Sequence, residues 1–229
     1  MARFYRNLGH GSFDDATFSS KLAYSTFRAS EFGTKFLDYY NDGRRPRVGQ
    51  HRALAPRVSY AESKLMFRNA GNGVFVNVSD GLGPDFQATS VSRGAAVGDF
   101  DNDGDLDILV SNNGGPPQLL RNDGGNANHW LQVLLIGTRS NRDGVGARVK
   151  LSAGDLTLYD QRKGGMSYQS AQDPRLHFGL GSRAMVDLLE IRWPSGMTTR
   201  LTDIAGDQIL AIREGAGIVP HPFPRVASR

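Results

Sequence analysis

Apolar and polar residues along the chain alternate over short distances, which is the pattern of β-strands. Leu106, Ile108 and Val110 occupy every second position behind an acidic stretch, and Gly-Gly-Pro-Pro at 114–117 ends that run. Further strands are predicted at 129–137, 175–180, 185–193 and 208–213. Residues 140–151 predict a turn followed by another strand. The last third of the chain shows no sustained helical period, so the sequence predicts an all-β protein.

Two stretches of the chain share one frame, an aromatic residue followed by Arg-Asn, Gly-x-Gly and Phe. Residues 4–17 and 66–79 match with an offset of 62, and a third copy begins at Arg121. The acidic segment at 36–44 matches 97–105 with an offset of 61. Because two independent features share nearly the same period, the chain contains a structural repeat.

Each repeat predicts several short antiparallel strands, as in a propeller blade, because Gly-x-Gly supplies a tight turn between extended segments. A closed propeller has at least about four blades, whereas this sequence contains about two, the first of them incomplete. We therefore expect a partial β-propeller at 1–125 and a compact β domain at 126–215. The segment 216–229 has three prolines and no pattern, which predicts a flexible tail.

The most distinctive stretch is DFDNDGDLD at 99–107, called the aspartate loop below. Its five aspartates stand at alternate positions: Asp99, Asp101, Asp103, Asp105 and Asp107. Calcium takes about 6–8 oxygen ligands. The first three aspartates would supply carboxylates, the fourth its backbone carbonyl, and the fifth would close the ring. Gly104 permits the sharp turn around an ion.

Without a cation, the carboxylates of the aspartate loop would repel one another. The loop is not an EF-hand, because Val110 stands where that motif has a bidentate glutamate. A solvated acidic turn is the alternative interpretation. We favour a calcium site between two strands of a hairpin.

The earlier acidic copy at 38–43, called the sister loop below, lacks part of this chemistry. Tyr40 stands at the third position of its frame, and Arg44 and Pro46 stand at the seventh and ninth. We predict no tightly bound ion there. An arginine-rich stretch at 44–57 replaces the strand that should follow.

Composition adds few constraints. The 229 residues carry a formal charge of +4 and no cysteine, with 39% hydrophobic and 22% charged residues, as in an ordinary globular protein. Disulfides are excluded, and no apolar run reaches the about 18 residues needed to cross a membrane. The first residues, MARFYRNLGHGSF, lack the apolar stretch of a signal peptide.

Positive charge is concentrated in the arginine-rich stretch, which contains Arg44, Arg45, Arg47, Arg52 and Arg57. Such a patch can bind nucleic acid or another polyanion, which is an alternative hypothesis for this chain. No aromatic residue interleaves with these arginines to stack on bases. We favour a solvated surface loop.

Signals of catalysis are mostly missing from the sequence. It contains neither a P-loop nor a nucleophile elbow, and the dinucleotide-like GVGARV at 144–149 lacks its third glycine. The five histidines have no metal-ligand spacing. Residues for which we expect only a structural role are His129 and His177 in strands and Trp130 and Trp193 in the core. Asp143 fits either an ion ligand or a residue of a type I turn.

The ordered motifs VGDFDNDGDLDILVSNN, LLRNDGGNANHWL, GTRSNRDGVGARV, RLHFGLG and IRWPSG closely resemble the bacterial relatives of cartilage acidic protein. In that family, FG-GAP (VCBS-type) propeller repeats precede a domain called ASPIC/UnbV. The resemblance covers roughly residues 3–215. It implies a partial β-propeller followed by a β-sandwich-like ASPIC/UnbV domain. By this resemblance the five aspartates correspond to the family's calcium loop.

Members of this family resemble exported or surface proteins, and they usually carry more repeats and an export signal upstream. This sequence shows neither feature, so we expect it to be a C-terminal fragment. The resemblance implies no catalytic role for the ASPIC/UnbV domain.

Together these observations predict a non-enzymatic, calcium-binding β-repeat module for adhesion or protein interaction. The expected location is secreted, periplasmic or at the cell surface. Expected partners are a protein or glycan at the cell surface and the remaining propeller blades, without membrane insertion. Two alternatives stay open: polyanion binding through 44–57, and an accessory domain of a carbohydrate-directed enzyme, which would need two carboxylates across a cleft.

Overall fold

A computed structural model describes residues 2–27, 30–43, 47–52, 61–124 and 127–221. The protein is nearly all β, with 46% of residues in strands and 7% in helices, which confirms the predicted fold class. No helix in the described ranges is both long enough and apolar enough to cross a membrane.

The repeat region, residues 2–124, consists of short strands and single helical turns. Its elements are β1 (Tyr5–Gly9), β2 (Ser12–Asp15), α1 (Leu22–Thr26), β3 (Ser30–Phe36), β4 (Arg47–Arg52), β5 (Leu65–Asn69), β6 (Phe75–Asn77), a 3-10 turn (Ser79–Gly81), α2 (Pro84–Gln87), β7 (Ser92–Gly98), β8 (Asp107–Asn112) and β9 (Gln118–Leu120). These strands form a lone β1–β2 hairpin, the four-stranded sheet β3-β4-β5-β6 and the three-stranded sheet β7-β8-β9. The antiparallel strand order is blade-like, and the described residues do not form a closed propeller.

The predicted repeat is present in the backbone. In the β1–β2 hairpin Tyr5 pairs with Asp15, and in the β5–β6 hairpin Phe67 pairs with Asn77, each 62 residues further along. The two hairpins differ in their surroundings. Phe67 and Phe75 are buried against Leu22 of the preceding unit, whereas the equivalent Tyr5 and Phe13 are 52% and 62% exposed.

The C-terminal domain, residues 127–221, contains eight strands. They are β10 (His129–Ile136), β11 (Arg148–Ala153), β12 (Leu156–Gln161), β13 (Leu176–Gly181), β14 (Met185–Arg192), β15 (Thr198–Ala205), β16 (Gln208–Arg213) and β17 (Gly217–Val219). Two four-stranded sheets, β13-β10-β16-β17 and β12-β11-β14-β15, enclose one hydrophobic core. This arrangement is the expected sandwich-like domain.

Strand β10 explains how the two parts of the molecule meet. Alternate residues Leu131, Val133 and Leu135 face the core of the C-terminal domain. Gln132, on the opposite side of the same strand, is also buried and contacts the aspartate loop. Because both faces of β10 are covered, its sequence is almost continuously apolar rather than alternating.

Two sequence expectations require correction. The arginine-rich stretch does not replace the strand after the sister loop, because residues 47–52 form β4 between β3 and β5. Its other arginines, at 44, 45 and 57, lie outside the described residues. The tail also begins later than residue 216, because Gly217–Val219 pairs with β16 and thereby satisfies its backbone groups. Residues 222–229 lie outside the described part of the chain.

Candidate functional site

The aspartate loop joins two paired strands. Strands β7 and β8 are antiparallel, and Gly98 lies opposite Asp107, so the sheet holds both ends of the loop together. The prediction of a loop within a β-hairpin is therefore confirmed. The sequence folds this way because β7 and β8 both present apolar residues to one core, which includes Val97 and Ile108.

The backbone of the loop turns around the side chain of Asp99. Its carboxylate accepts hydrogen bonds from the backbone N–H groups of Asp103 at 3.1 Å and Gly104 at 3.0 Å. Gly104 has a φ of 98°, in the region that favours glycine. A Cβ atom at Gly104 would also overlap the indole ring of Trp130. Glycine is therefore required here both by the backbone conformation and by the available space.

Three carboxylates converge at the base of this turn. Oxygen atoms of Asp99, Asp101 and Asp107 all lie within 4.8 Å of one another. Asp99 and Asp107 are buried, and the side chain of Asp101 is 34% exposed. The Oδ1 atom of Asp101 is buried without a hydrogen-bond partner. A buried oxygen that accepts no hydrogen bond fits a site in which that oxygen contacts a cation.

Asp107 is oriented by two backbone N–H groups, one near the start of the loop and one just beyond β9. Its Oδ2 accepts a hydrogen bond from Phe100 N, and its Oδ1 accepts one from Asn122 N, both at 2.8 Å. These two donors fix the rotation of the carboxylate. Since Asn122 lies just beyond β9, the third strand of the blade also helps to position the site.

Asp103 and Asp105 are outside the three-carboxylate group. Asp103 Oδ1 accepts a hydrogen bond from Asp105 N at 2.9 Å. Asp105 is fully buried, and its Oδ1 accepts a hydrogen bond from Asn41 Nδ2 at 3.2 Å. The structure thus brings three of the five predicted residues together. Ligation through the carboxylate of Asp103 and the carbonyl of Asp105 stays a prediction.

The buried carboxylates are electrostatically costly. Burial raises the pKa of Asp99 to about 6, although hydrogen bonds from Gln132 and Gly104 and the charge of Arg175 act in the opposite direction. Burial likewise raises the pKa of Asp107, although hydrogen bonds from the backbone N–H groups of Phe100 and Asn122 act to lower it. Neighbouring carboxylates add to both effects. A cation between them would relieve this penalty.

The sister loop repeats the same turn. Asp38 accepts hydrogen bonds from Asp42 N at 3.1 Å and Gly43 N at 2.8 Å, as Asp99 does from its own loop. Within the described residues, the sister loop contributes to no group of metal-ligating side chains. The absence of a tightly bound ion there stays a prediction. Pro46, at the ninth position of the frame, lies outside the described residues.

Several residues of the C-terminal domain contact the aspartate loop, and sequence analysis assigned no such role to them. Gln132 Nε2 donates a hydrogen bond to Asp99 Oδ2 at 2.6 Å, and Arg175 donates one to the backbone oxygen of Asp99 at 2.7 Å. His177 Nε2 donates to the backbone oxygen of Gly104 at 3.0 Å. One signal was available in the sequence: Gln132 is the single polar residue between Trp130 and Gly137.

Among the other histidine, tryptophan and aspartate residues considered in the sequence, Trp130 contacts the aspartate loop, and the remaining three have contacts elsewhere. His129 Nδ1 contacts Asp207 Oδ2 at 2.6 Å, at the edge of β10. Trp193 is buried in the core of the C-terminal domain. Asp143 is an exposed residue of a turn, 3.2 Å from the guanidinium of Arg142. Trp130 is buried as expected, but it lies against the aspartate loop rather than in the sandwich core.

Comparison with known families agrees with the two-part organisation. Residues 58–110 match the FG-GAP-like repeat, and residues 137–219 match the family described as ASPIC and UnbV. The first match includes the whole aspartate loop and the first four residues of β8, and the second ends at the last residue of β17. The resemblance inferred from the sequence motifs is therefore confirmed.

Curated proteins similar to this chain carry the name cartilage acidic protein 1. The mouse protein (Mus musculus) is 33% identical over 147 residues, which cover 61% of this chain and 21% of the mouse protein. The human (Homo sapiens) and Xenopus tropicalis proteins are each 34% identical over 128 residues, covering 53% of this chain and 18% of theirs. The chain thus spans about a fifth of the length of these relatives.

Proposed function

We propose that this chain is a non-enzymatic, calcium-binding β-repeat module that serves adhesion or protein interaction outside the cell or at its surface. The observation that carries the proposal is the convergence of Asp99, Asp101 and Asp107, with oxygen atoms within 4.8 Å of one another, on the β7–β8 hairpin. The unpartnered, buried Oδ1 of Asp101 supports it.

The chemistry of the donor set favours calcium over softer metals. All three convergent side chains offer carboxylate oxygens, and calcium is a hard cation that binds such oxygens together with backbone carbonyls. Zinc and copper sites usually include histidine or cysteine. The chain has no cysteine, and no histidine belongs to the group. Asp103 and the carbonyl of Asp105 are proposed as further ligands.

The proposed role of the ion is structural. When bound, calcium supplies a divalent positive charge between the end of β7 and the start of β8. Asp99 and Asp107 lie at the two ends of the loop, so their joint ligation would tie these strands together and remove the repulsion between the carboxylates.

An exposed apolar face supports a further repeat unit as one partner. On the β5–β6 hairpin, Phe67 and Phe75 are covered by Leu22 from the preceding unit. The equivalent face of the β1–β2 hairpin, with Tyr5 and Phe13, is exposed in the described residues. Because both hairpins have the same register, we propose that another unit of this repeat covers that face. Location outside the cell and a protein or glycan partner are proposed from the family resemblance.

A thermal melt with and without calcium tests the ion site. Extracellular calcium modules bind with a Kd of about 0.1–1 mM. With a Kd of about 0.5 mM, 10 mM calcium stabilises the folded state by about 1.8 kcal/mol. In a chain of this size that raises the Tm by about 4–7 °C. The double variant Asp101→Ala with Asp103→Ala should lose this response.

A matched double variant controls for the change in net charge. Asp14→Ala with Asp143→Ala removes two exposed carboxylates that lie outside the aspartate loop and should keep the calcium response. Identical melting curves of the natural chain in excess chelator and in 10 mM calcium would refute the proposed calcium site.

A further inference from the structure

One side of the β10–β13 pair faces the repeat region. Gln132 lies directly opposite His177 in the strand register, and Trp130 lies opposite Gly179. These four residues, called the docking face below, occupy alternate positions and therefore point to the same side of the sheet. The other side of the same strands, with Leu131 and Phe178, belongs to the core of the sandwich.

We propose that the docking face supports the ion site without supplying a ligand. It holds the aspartate loop in the shape that binds the cation, so that cation binding and docking of the C-terminal domain strengthen each other. This inference rests on the calcium site proposed above and adds to it a role for the C-terminal domain.

Gln132 orients the first ligand of the loop. It is 1% exposed, and its Nε2 donates a 2.6 Å hydrogen bond to Asp99 Oδ2, which also accepts from Gly104 N. The two donors on one oxygen fix the rotation of the carboxylate. An amide can do this without neutralising the carboxylate, whereas a lysine or arginine in its place would compete with the cation for the charge.

Arg175, next to the start of β13, holds the main chain of the loop. Its Nη2 donates to the backbone oxygen of Asp99 at 2.7 Å, and its Nη1 donates to Asn102 Oδ1 at 2.5 Å. Arg175 is itself held by Asp173, to which its Nε donates at 3.0 Å. One planar guanidinium thereby fixes both the beginning and the tip of the turn.

Trp130 and His177 hold the glycine of the turn. The indole of Trp130 covers Gly104 so closely that no side chain fits there. His177 Nε2 and Asn41 Nδ2 both donate to the backbone oxygen of Gly104, at 3.0 and 3.1 Å. The residue at the sixth position of the ion loop is therefore bound from the C-terminal domain and from the sister loop at once.

The sister loop packs against β13, one of the two strands that carry the docking face. Gly181 N donates to the backbone oxygen of Asn41 at 2.8 Å. A Cβ atom at Gly179 would overlap Asp38 Oδ2 and the backbone of Asn41. The docking face therefore contacts both loops, and Asn41 links them through its hydrogen bonds to Gly104 and Asp105.

These contacts imply a reciprocal coupling. If the docking face stabilises the cation-binding shape of the aspartate loop, the bound cation must stabilise docking by the same free energy. Residues that orient metal ligands without touching the metal typically change its affinity about 10–100-fold when they are replaced. Replacing the amide of Gln132 should therefore weaken calcium binding without removing any ligand.

Calcium titration of the full chain tests this coupling. The chain has two tryptophans, so Trp193→Phe leaves one, Trp130, which lies at the aspartate loop. In this background, isothermal titration measures the Kd for calcium while the emission of Trp130 reports on the docking face. We expect the emission to change with the same midpoint as the heat.

The decisive variant is Gln132→Met, which keeps the length of the side chain and removes its donor. It should raise the Kd for calcium about tenfold. The control is Gln208→Met, in β16 of the same domain, whose side chain donates a hydrogen bond to Ala205 O, away from the aspartate loop, and which should leave the Kd unchanged. If circular dichroism shows that Gln132→Met does not fold, Arg175→Lys replaces it, because lysine cannot reach both acceptors of the guanidinium.

The outcomes separate the two proposals. In the first outcome, the natural chain binds calcium, the folded Gln132→Met variant has the same Kd, and the emission of Trp130 does not change during the titration. This outcome would overturn the coupling but not the calcium site. No heat of calcium binding by the natural chain would overturn the calcium site and the coupling with it.

Discussion

The aspartate loop and the sister loop have the same backbone and different chemistry. Asn102 and Asn41 both have positive φ values, 61° and 54°, and are followed two residues later by glycines at 98° and 79°. In each loop the first aspartate accepts hydrogen bonds from the N–H groups four and five residues ahead. The turn is therefore common to both loops and is accompanied by the first aspartate, the asparagine and the glycine that they share.

The difference lies at the third position of the frame. Asp101 directs its carboxylate toward Asp99 and Asp107, whereas Tyr40 packs edge-to-face on Tyr39 with ring centroids 4.9 Å apart. Carboxylates at the third and ninth positions are thus not needed for the shape of the loop. Shape and ion chemistry are separate properties of this motif, and a repeat can keep the first while it loses the second.

The largest expected effect comes from replacing the glycine of each loop. Gly104→Ala combines a positive φ with overlap of the Trp130 indole, which should destabilise the chain by about 3–5 kcal/mol. In the sister loop, a Cβ atom at Gly43 would lie 3.1 Å from a terminal methyl group of Leu156, which can move. Gly43→Ala should therefore cost only about 1–2 kcal/mol. Urea unfolding measures both, and equal costs would show that Trp130 does not hold the loop.

A second pair of variants separates shape from ion chemistry. Asp38→Asn and Asp99→Asn each disturb a carboxylate that accepts two backbone hydrogen bonds, at a cost of about 2 kcal/mol. Only Asp99→Asn should also reduce the rise in Tm with calcium, because it removes a negative charge from the carboxylate group, whereas the third position of the sister loop is Tyr40. Differential scanning calorimetry with chelator and with calcium measures both effects. A calcium response as large in Asp99→Asn as in the natural chain would place the ion elsewhere.

A smaller effect, at acid pH, concerns the domain that holds both loops. Burial alone would raise the pKa of Glu214, but hydrogen bonds from the backbone and hydroxyl groups of Ser140, Thr138 and Ser195 lower it from 4.5 to about 2. Because the folded pKa is depressed, its stabilisation is complete above about pH 4.5 and is lost as the pH falls toward 2.

Glu214→Gln should therefore lower the urea midpoint at pH 6 and have less effect at pH 3. Gln208→Glu, which adds a carboxylate on β16, the strand that ends just before Glu214, provides a control that should not reproduce this pH dependence. An equal loss at both pH values would show that ionised Glu214 does not stabilise the domain. Comparisons of the two loops belong above about pH 7, where this contribution is intact and the Asp99 carboxyl, with its pKa raised to about 6, is ionised.

Much of the fold followed from local pattern. The strands predicted at 129–137, 175–180 and 208–213 agree with β10, β13 and β16 to within one or two residues, because each has either a largely apolar run or a strict alternation of apolar residues. Strand β4 was missed, since its arginines and glycine favour a loop and only its pairing with β3 and β5 makes it a strand. Strand β17 was missed for the same reason, as it depends on β16.

For the candidate site, the five alternating aspartates of the aspartate loop and its single glycine were evident from the sequence alone, because they lie within nine consecutive residues. Which three carboxylates converge was decided by the hairpin, whose register brings Asp107 back beside Asp99. The docking face was decided by the tertiary structure, since Gln132 and His177 are 33 and 73 residues away from their partners in the loop. Spacing within a loop is a local property that the chain carries by itself, whereas hydrogen bonds between distant strands exist only once two sheets have packed against each other.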